Sequence, residues 1–146
     1  MIELYFDGAC EPFNPGGTAS YGWVIKKDNK IIKEGSGIVG TGEGMTNNIA
    51  EYSALIKGLE EFLILNLKEK LLIKGDSNMV INMINGRWGW NKKRSIWQPH
   101  QKMPHLKELL DKALQQLNKI DYEAQWIPRE ENKEADALSK NMTQDA

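Results

Sequence analysis

Four acidic residues, Asp7, Glu51, Asp76 and Asp136, stand where a chain could bring carboxylates together. Asp7 follows an alternating apolar run through Ile2, Leu4 and Phe6, and Asp76 follows the short apolar run Leu71-Leu72-Ile73, so each sits at the end of an expected strand. Glu51 falls near the start of a long helical pattern and Asp136 near the start of a short one. If the two strands are sheet neighbours, their carboxylates converge on one edge and the helix-borne pair can close over it. Such a cluster repels itself unless a cation neutralises it, and an all-oxygen ligand set points to Mg²⁺ or Mn²⁺. Two ions would account for four ligands, because in phosphodiester hydrolysis one activates the attacking water while the other stabilises the leaving oxygen. Acidic residues at element ends are also ordinary caps and surface charge, and spacing alone leaves both readings open.

The elements that must position these groups follow from periodicity and turn chemistry. Met1 to Asp7, Tyr21 to Lys27 and Lys30 to Ser36 read as three successive antiparallel strands, the last two joined at Asp28-Asn29. Gly40 to Gly44 reads as a loop, and Thr46-Asn47-Asn48 offers capping side chains to a helix carrying Tyr52, Leu55, Ile56, Leu59, Phe62 and Leu63 on its apolar face. After the Leu71 strand, Met79, Val80, Met83 and Ile84 predict a short helix closed by Gly86. Arg87 to Met103 breaks the pattern, as an insertion would. Pro104 then opens a helix through Leu106, Leu109, Leu110, Ala113, Leu114 and Leu117, followed by a strand over Tyr122 to Ile127, a tight connection to Asn132 and a closing helix over Lys133 to Lys140. Strands and helices in this order predict an α/β fold with a mixed sheet and helices packed on its faces.

The 146 residues suit one domain, expected over residues 1–141 with a polar tail over 142–146. A single cysteine, Cys10, excludes an internal disulfide framework, and the strand-like opening lacks the pattern of a secretory signal, which together fit a reducing cytoplasm. No apolar stretch approaches the roughly 20 residues needed to cross a bilayer, so no membrane partner is expected. The net charge of −1 does not advertise a phosphate binder, but Arg87, Lys92, Lys93 and Arg94 cluster within eight positions while Glu130, Glu131 and Glu134 gather elsewhere.

Five blocks carry a resemblance. Phe6-Asp7-Gly8-Ala9-Cys10, Asn14-Pro15-Gly16-Gly17, Thr46-Asn47-Asn48-Ile49-Ala50-Glu51, Gly75-Asp76-Ser77 and Glu134-Ala135-Asp136-Ala137-Leu138 resemble, in order and spacing, the signature blocks of type 1 ribonuclease H. The resemblance covers about residues 1–141. It implies a ribonuclease H-like fold, with a five-stranded mixed sheet made of three antiparallel strands and then two more. It also implies hydrolysis of the RNA strand of an RNA/DNA hybrid by two Mg²⁺ ions, with Mn²⁺ as a substitute, leaving 5′-phosphate and 3′-hydroxyl ends. Asp7, Glu51, Asp76 and Asp136 match the family's metal-binding carboxylates. A monomer without an obligatory protein partner is expected.

By the same match, the backbone of Gly8, Ala9 and Cys10 and the side chains of Asn14, Asn47, Asn48 and Asn78 would lie along the hybrid's minor groove, where 2′-hydroxyls mark the RNA strand. Turn-forming and capping duties are the plainer alternative for each asparagine, and a small buried residue is the plainer one for Cys10. Thr46 resembles a residue holding a phosphate of the DNA strand. The segment Arg87 to Trp97 resembles a basic protrusion, in which Trp90, Lys92, Lys93 and Arg94 would meet the backbone; a solvated loop pinned by tryptophans is the alternative. Many members carry a histidine between the last strand and last helix, but here the connection reads Pro128-Arg129-Glu130-Glu131-Asn132, a short form similar to that of archaeal members. Arg129 could hold a phosphate there but, permanently protonated, could not act as a base. A junction resolvase or exonuclease would use a similar acidic cluster, and a non-catalytic hybrid-binding module would not need all four carboxylates. The paired asparagines speak against the former and the intact acidic set against the latter.

Overall fold

Alternation of apolar and polar residues along the first strand, joined to two further strands by turn-rich segments, builds an antiparallel meander. In the computed structural model, which describes the backbone of residues 1–144 and the side chains of residues 1–140, this meander comprises β1 (Ile2–Glu11), β2 (Thr18–Lys27) and β3 (Lys30–Thr41). Helix α1 (Asn47–Leu65) follows, then β4 (Leu71–Gly75), α2 (Asn78–Ile84), a small hairpin of β5 (Trp90–Asn91) and β6 (Ile96–Trp97), α3 (Pro104–Leu117), β7 (Tyr122–Trp126), a 3₁₀ turn (Arg129–Glu131) and α4 (Lys133–Gln144). The main sheet has the order β3-β2-β1-β4-β7, with β4 and β7 parallel to β1. The mixed α/β fold expected from the sequence is the one observed.

One sheet face is the main core. Ile2, Leu4 and Phe6 of β1, Ile25 of β2 and Leu71 and Ile73 of β4 meet Tyr52, Leu55, Leu59 and Phe62 of α1, with Leu106, Leu110 and Leu117 of α3 packed behind. Each fully buried side chain of this size contributes about 1.5–3 kcal/mol. Helix α4 covers part of the opposite face, lying over β1, β2 and β3. Among the described residues, no helix is long and apolar enough to cross a membrane.

Four boundaries differ from the expected ones by more than one residue, and the reasons are physical. Asp7 lies inside β1, which continues to Glu11 because Gly8, Ala9 and Cys10 stay paired with Tyr21, Ser20 and Ala19 of β2. Only the parallel ladder ends there, since Phe6 pairs with Gly75 as the last match with β4. On the other edge β2 begins at Thr18 and β3 runs to Thr41, so Gly40 and Thr41 are strand residues. Glycines usually weaken strands. Here the rings of Trp23 and Tyr21 lie where β-carbons on Gly35 and Gly37 would stand, so cross-strand packing overrides propensity. Helix α4 extends past Lys140 to Gln144, while positions 145–146 of the expected tail lie outside the described residues.

Gly22 fixes the approach of α4. A β-carbon at this position would stand 2.5 Å from both the Ala135 carbonyl oxygen and the Ser139 nitrogen, which are backbone atoms that cannot swing aside. Because Gly22 pairs with Asp7 across the sheet, the same close approach brings Asp136 toward Asp7. Gly22→Ala should therefore cost about 1–3 kcal/mol, the usual range for overpacking, and lower the midpoint of urea unfolding. An unchanged midpoint would show that α4 shifts freely.

Candidate active site

Three of the four carboxylates converge. One oxygen each from Asp7, Glu51 and Asp76 lies within 4.8 Å of the others. The local sequence explains the approach. Asp76 leaves the end of β4 beside Asp7 because the two strands are in parallel register. Glu51 reaches them because α1 passes against the backbone of β1 at Gly8, where a β-carbon would come within 2.3 Å of the Glu51 nitrogen. Thr46 starts that helix by accepting a hydrogen bond from the Ile49 N–H at 3.2 Å. The Gly8 N–H then donates to Glu51 Oε1 and, at 3.0 Å, to Asp7 Oδ1.

Asp136 approaches from α4 and is more open. Its Oδ1 lies 3.5 Å from Lys140 Nζ and 3.9 Å from Arg129 Nη2. The four acids share an open cavity of about 440 Å³ with Gly8, Ala9, Cys10, Asn47 and Arg129 from the sequence reading. Trp126, Ser77, Glu11 and Lys140 line it as well. Trp126 is a missed candidate: it is 48% exposed at the end of β7 and donates through Nε1 to the Asp76 carbonyl at 3.2 Å. An aromatic residue one position before the end of the expected strand over Tyr122 to Ile127 was the signal available.

The other expected substrate-binding residues are not in this cavity. Asn14 accepts from the Asn47 N–H through Oδ1 at 3.2 Å, tying the loop after β1 to the start of α1. Asn78 accepts from Asn82 within α2, and Asn48 is half-buried. Cys10 is buried, with Sγ donating to the Phe13 carbonyl at 3.1 Å, which matches the plain packing role. Lys92, Lys93 and Arg94 are exposed in the turn of the β5–β6 hairpin and form no ion pair among the described residues. Asn91 Oδ1 holds this turn by accepting from the Lys93 and Arg94 N–H groups, while Trp90 Nε1 donates to the Gly86 carbonyl at 2.7 Å.

The electrostatics of the cluster favour a cation. Burial, followed by the charge of Glu51, holds the Asp7 carboxyl far above the ordinary carboxylate range. Glu51 is raised as well, mainly by burial, with Asp76 adding repulsion. Glu51 Oε2 is buried without a hydrogen-bond partner, and such an orphaned acceptor is costly unless something positive meets it. Hard oxygen donors at this spacing fit Mg²⁺ or Mn²⁺.

A five-stranded mixed sheet with acids gathered where β1 and β4 part defines a ribonuclease H-like protein. The family model for reverse transcriptase-like proteins matches residues 5–142. A ribonuclease HI from Halobacterium salinarum is 33% identical over 147 residues, covering 99% of this chain and 65% of that protein. The crystal structure of RNase H1 from the same archaeon superposes with a TM-score of 0.81 at 31% identity, over 99% of this chain and 98% of that one. The structure of LC11-RNase H1 in complex with an RNA/DNA hybrid gives 0.80 at 26% identity, over 97% and 95%. The chain belongs to the type 1 ribonuclease H family. It spans 65% of the length of the Halobacterium protein and 32% of mycobacterial relatives that it also matches.

Proposed function

We propose that this protein hydrolyses the RNA strand of RNA/DNA hybrids, with Asp7, Glu51, Asp76 and Asp136 holding two divalent metal ions, and leaves 5′-phosphate and 3′-hydroxyl ends. The observation that carries this reading is the convergence of Asp7, Glu51 and Asp76 around an unpartnered Glu51 oxygen, in a chain of this family. When bound, the ions supply activation of water and neutralise charge on the leaving oxygen. The chain's own groups do the rest. Gly8 N–H fixes the Asp7 and Glu51 carboxylates relative to each other. The backbone of Gly8, Ala9 and Cys10 together with Asn47 lines the wall on which a shallow minor groove would rest. Arg129 and Lys140 place positive charge at the Asp136 side of the cavity, where a phosphate of the scissile strand would pass. Asn14, Asn48 and Asn78 extend the groove-facing surface, and Thr46 takes a phosphate of the DNA strand.

Substrate choice is tested by incubating the protein with labelled RNA/DNA, RNA/RNA, DNA/DNA and single-stranded RNA in Mg²⁺, Mn²⁺ or chelator. Cleavage of the RNA strand in the hybrid alone, abolished by chelator, is expected. Equal cleavage of DNA/DNA would turn the assignment toward a different nuclease of the same fold.

The β5–β6 turn acts as a substrate handle in this proposal. Its three exposed cations would each release counterions on meeting a phosphate, and Trp90, 54% exposed, offers an indole face beside them. Replacing Lys92, Lys93 and Arg94 with Ala should weaken hybrid binding and flatten the plot of log affinity against log salt, by up to about 0.9 for each phosphate that is no longer neutralised. An unchanged slope would return the hairpin to a solvated loop.

A further inference from the structure

Asn132 occupies the position where α4 begins, since its carbonyl accepts the Asp136 N–H at 3.0 Å as the first turn of the helix. Asparagine is a common helix cap, and in that role its side-chain oxygen accepts from an N–H of the first turn. Here it does not. Asn132 is only 1% exposed, its Oδ1 is buried without a hydrogen-bond partner, and its amide points to the acidic site. Nδ2 donates to the Phe6 carbonyl at 2.9 Å and approaches Asp76 Oδ1 at 3.5 Å. Both targets are pure acceptors, so the amide nitrogen has to face them.

These hydrogen bonds join the elements that carry three carboxylates. Phe6 immediately precedes Asp7 in β1, Asp76 is held directly, and Asp136 is held through the Asn132 carbonyl. Phe6 and Gly75 are the last matched pair of the β1–β4 ladder, so Asn132 sits where the two strands separate and the sheet no longer fixes their side chains. We propose that Asn132 is a positioning residue that keeps Asp7, Asp76 and Asp136 in one metal-binding arrangement, acting through hydrogen bonds and not touching the substrate. This role rests on the reading of the cluster as a divalent-metal site. Groups that orient metal ligands typically matter about 10- to 100-fold in metal affinity or activity.

Capping and positioning can be separated, because Ser and Asp are both good caps but neither presents the amide donor. Asn132→Ser and the nearly isosteric Asn132→Asp would be compared with wild type by calorimetric titration of Mn²⁺ into substrate-free protein, with thermal unfolding as a check on folding. The expected result is a folded variant with Mn²⁺ affinity lowered by about 10-fold or more, and a matching rise in the Mn²⁺ concentration needed for half-maximal hybrid cleavage. Wild-type Mn²⁺ affinity in a folded Ser or Asp variant would overturn the positioning role and leave Asn132 as a cap. Failure of wild-type protein itself to bind Mn²⁺ would overturn the metal-site reading and this role with it.

Discussion

Asp7→Asn is expected to abolish hybrid cleavage in Mg²⁺ and, in metal-free protein, to make the fold more stable. The first effect should be about 10³-fold or more, the scale on which members of a cooperating catalytic unit fail singly. The second follows from the same geometry with its sign worked through. Asp7 is raised from 3.8 by burial and by Glu51, so the folded state holds its proton at pH values where the unfolded chain has released it. The folded state thus binds more protons above about pH 4, and metal-free stability falls as pH rises from there. An amide at position 7 keeps the shape, retains an acceptor for Gly8 N–H and has no proton to lose. A gain of at least about 1.4 kcal/mol at neutral pH, the equivalent of one pKa unit, should appear in urea unfolding with chelator present, together with a flatter pH profile. Added Mg²⁺ should stabilise wild type more than the variant. A folded variant that cleaves normally would remove Asp7 from the site, and one that is less stable without metal would contradict the electrostatic reading.

The second large effect concerns the connection between β7 and α4. It is a 3₁₀ turn, with Arg129 on the cavity wall and Glu130 exposed, and holds no histidine. Arg129 cannot exchange a proton at neutral pH. Hydrolysis should nevertheless proceed under the proposed reading, in which Asp7, Glu51, Asp76 and Asp136 would hold divalent ions that supply the activation without an imidazole. Introducing an imidazole by Glu130→His should raise steady-state turnover, and a well-placed general acid is worth about 10²- to 10⁴-fold when it acts in the chemical step. A gain in both steady-state and single-turnover rates would assign that group to proton transfer. A gain in steady-state turnover alone would assign it to product release. No gain in either would show that position 130 does not reach the reacting phosphate.

How much of this was legible in the sequence differs from element to element. The apolar stripes of α1 and α3 and the alternation of β1 were read directly, since each buries one face against a single core. The mid-strand position of Asp7 was not, because the residues that carry β1 onward are Gly8, Ala9 and Cys10, small side chains without a strong strand signal. The length of β3 was hidden for a related reason: Gly37, just past the expected end at Ser36, looks like a breaker until Tyr21 is seen to lie across it. At the site, Glu51, Asp76 and Asp136 lie near element ends as expected while Asp7 sits mid-strand, and the signature blocks, more than spacing, singled out the four. Trp126 and Asn132 did not stand out, because a terminal tryptophan and a helix-starting asparagine have ordinary uses, and only the tertiary fold turns them toward Asp76.

Single-turnover cleavage by unmodified protein decides whether this chain cuts the RNA strand of a hybrid. A hybrid carrying label in the RNA strand would be bound in excess protein with chelator, binding verified, and the reaction started with saturating Mg²⁺ or Mn²⁺. Scission of the RNA strand into fragments with 5′-phosphate and 3′-hydroxyl ends, with the DNA strand intact, is the expected result. A hybrid that is demonstrably bound yet stays whole in both metals would contradict it.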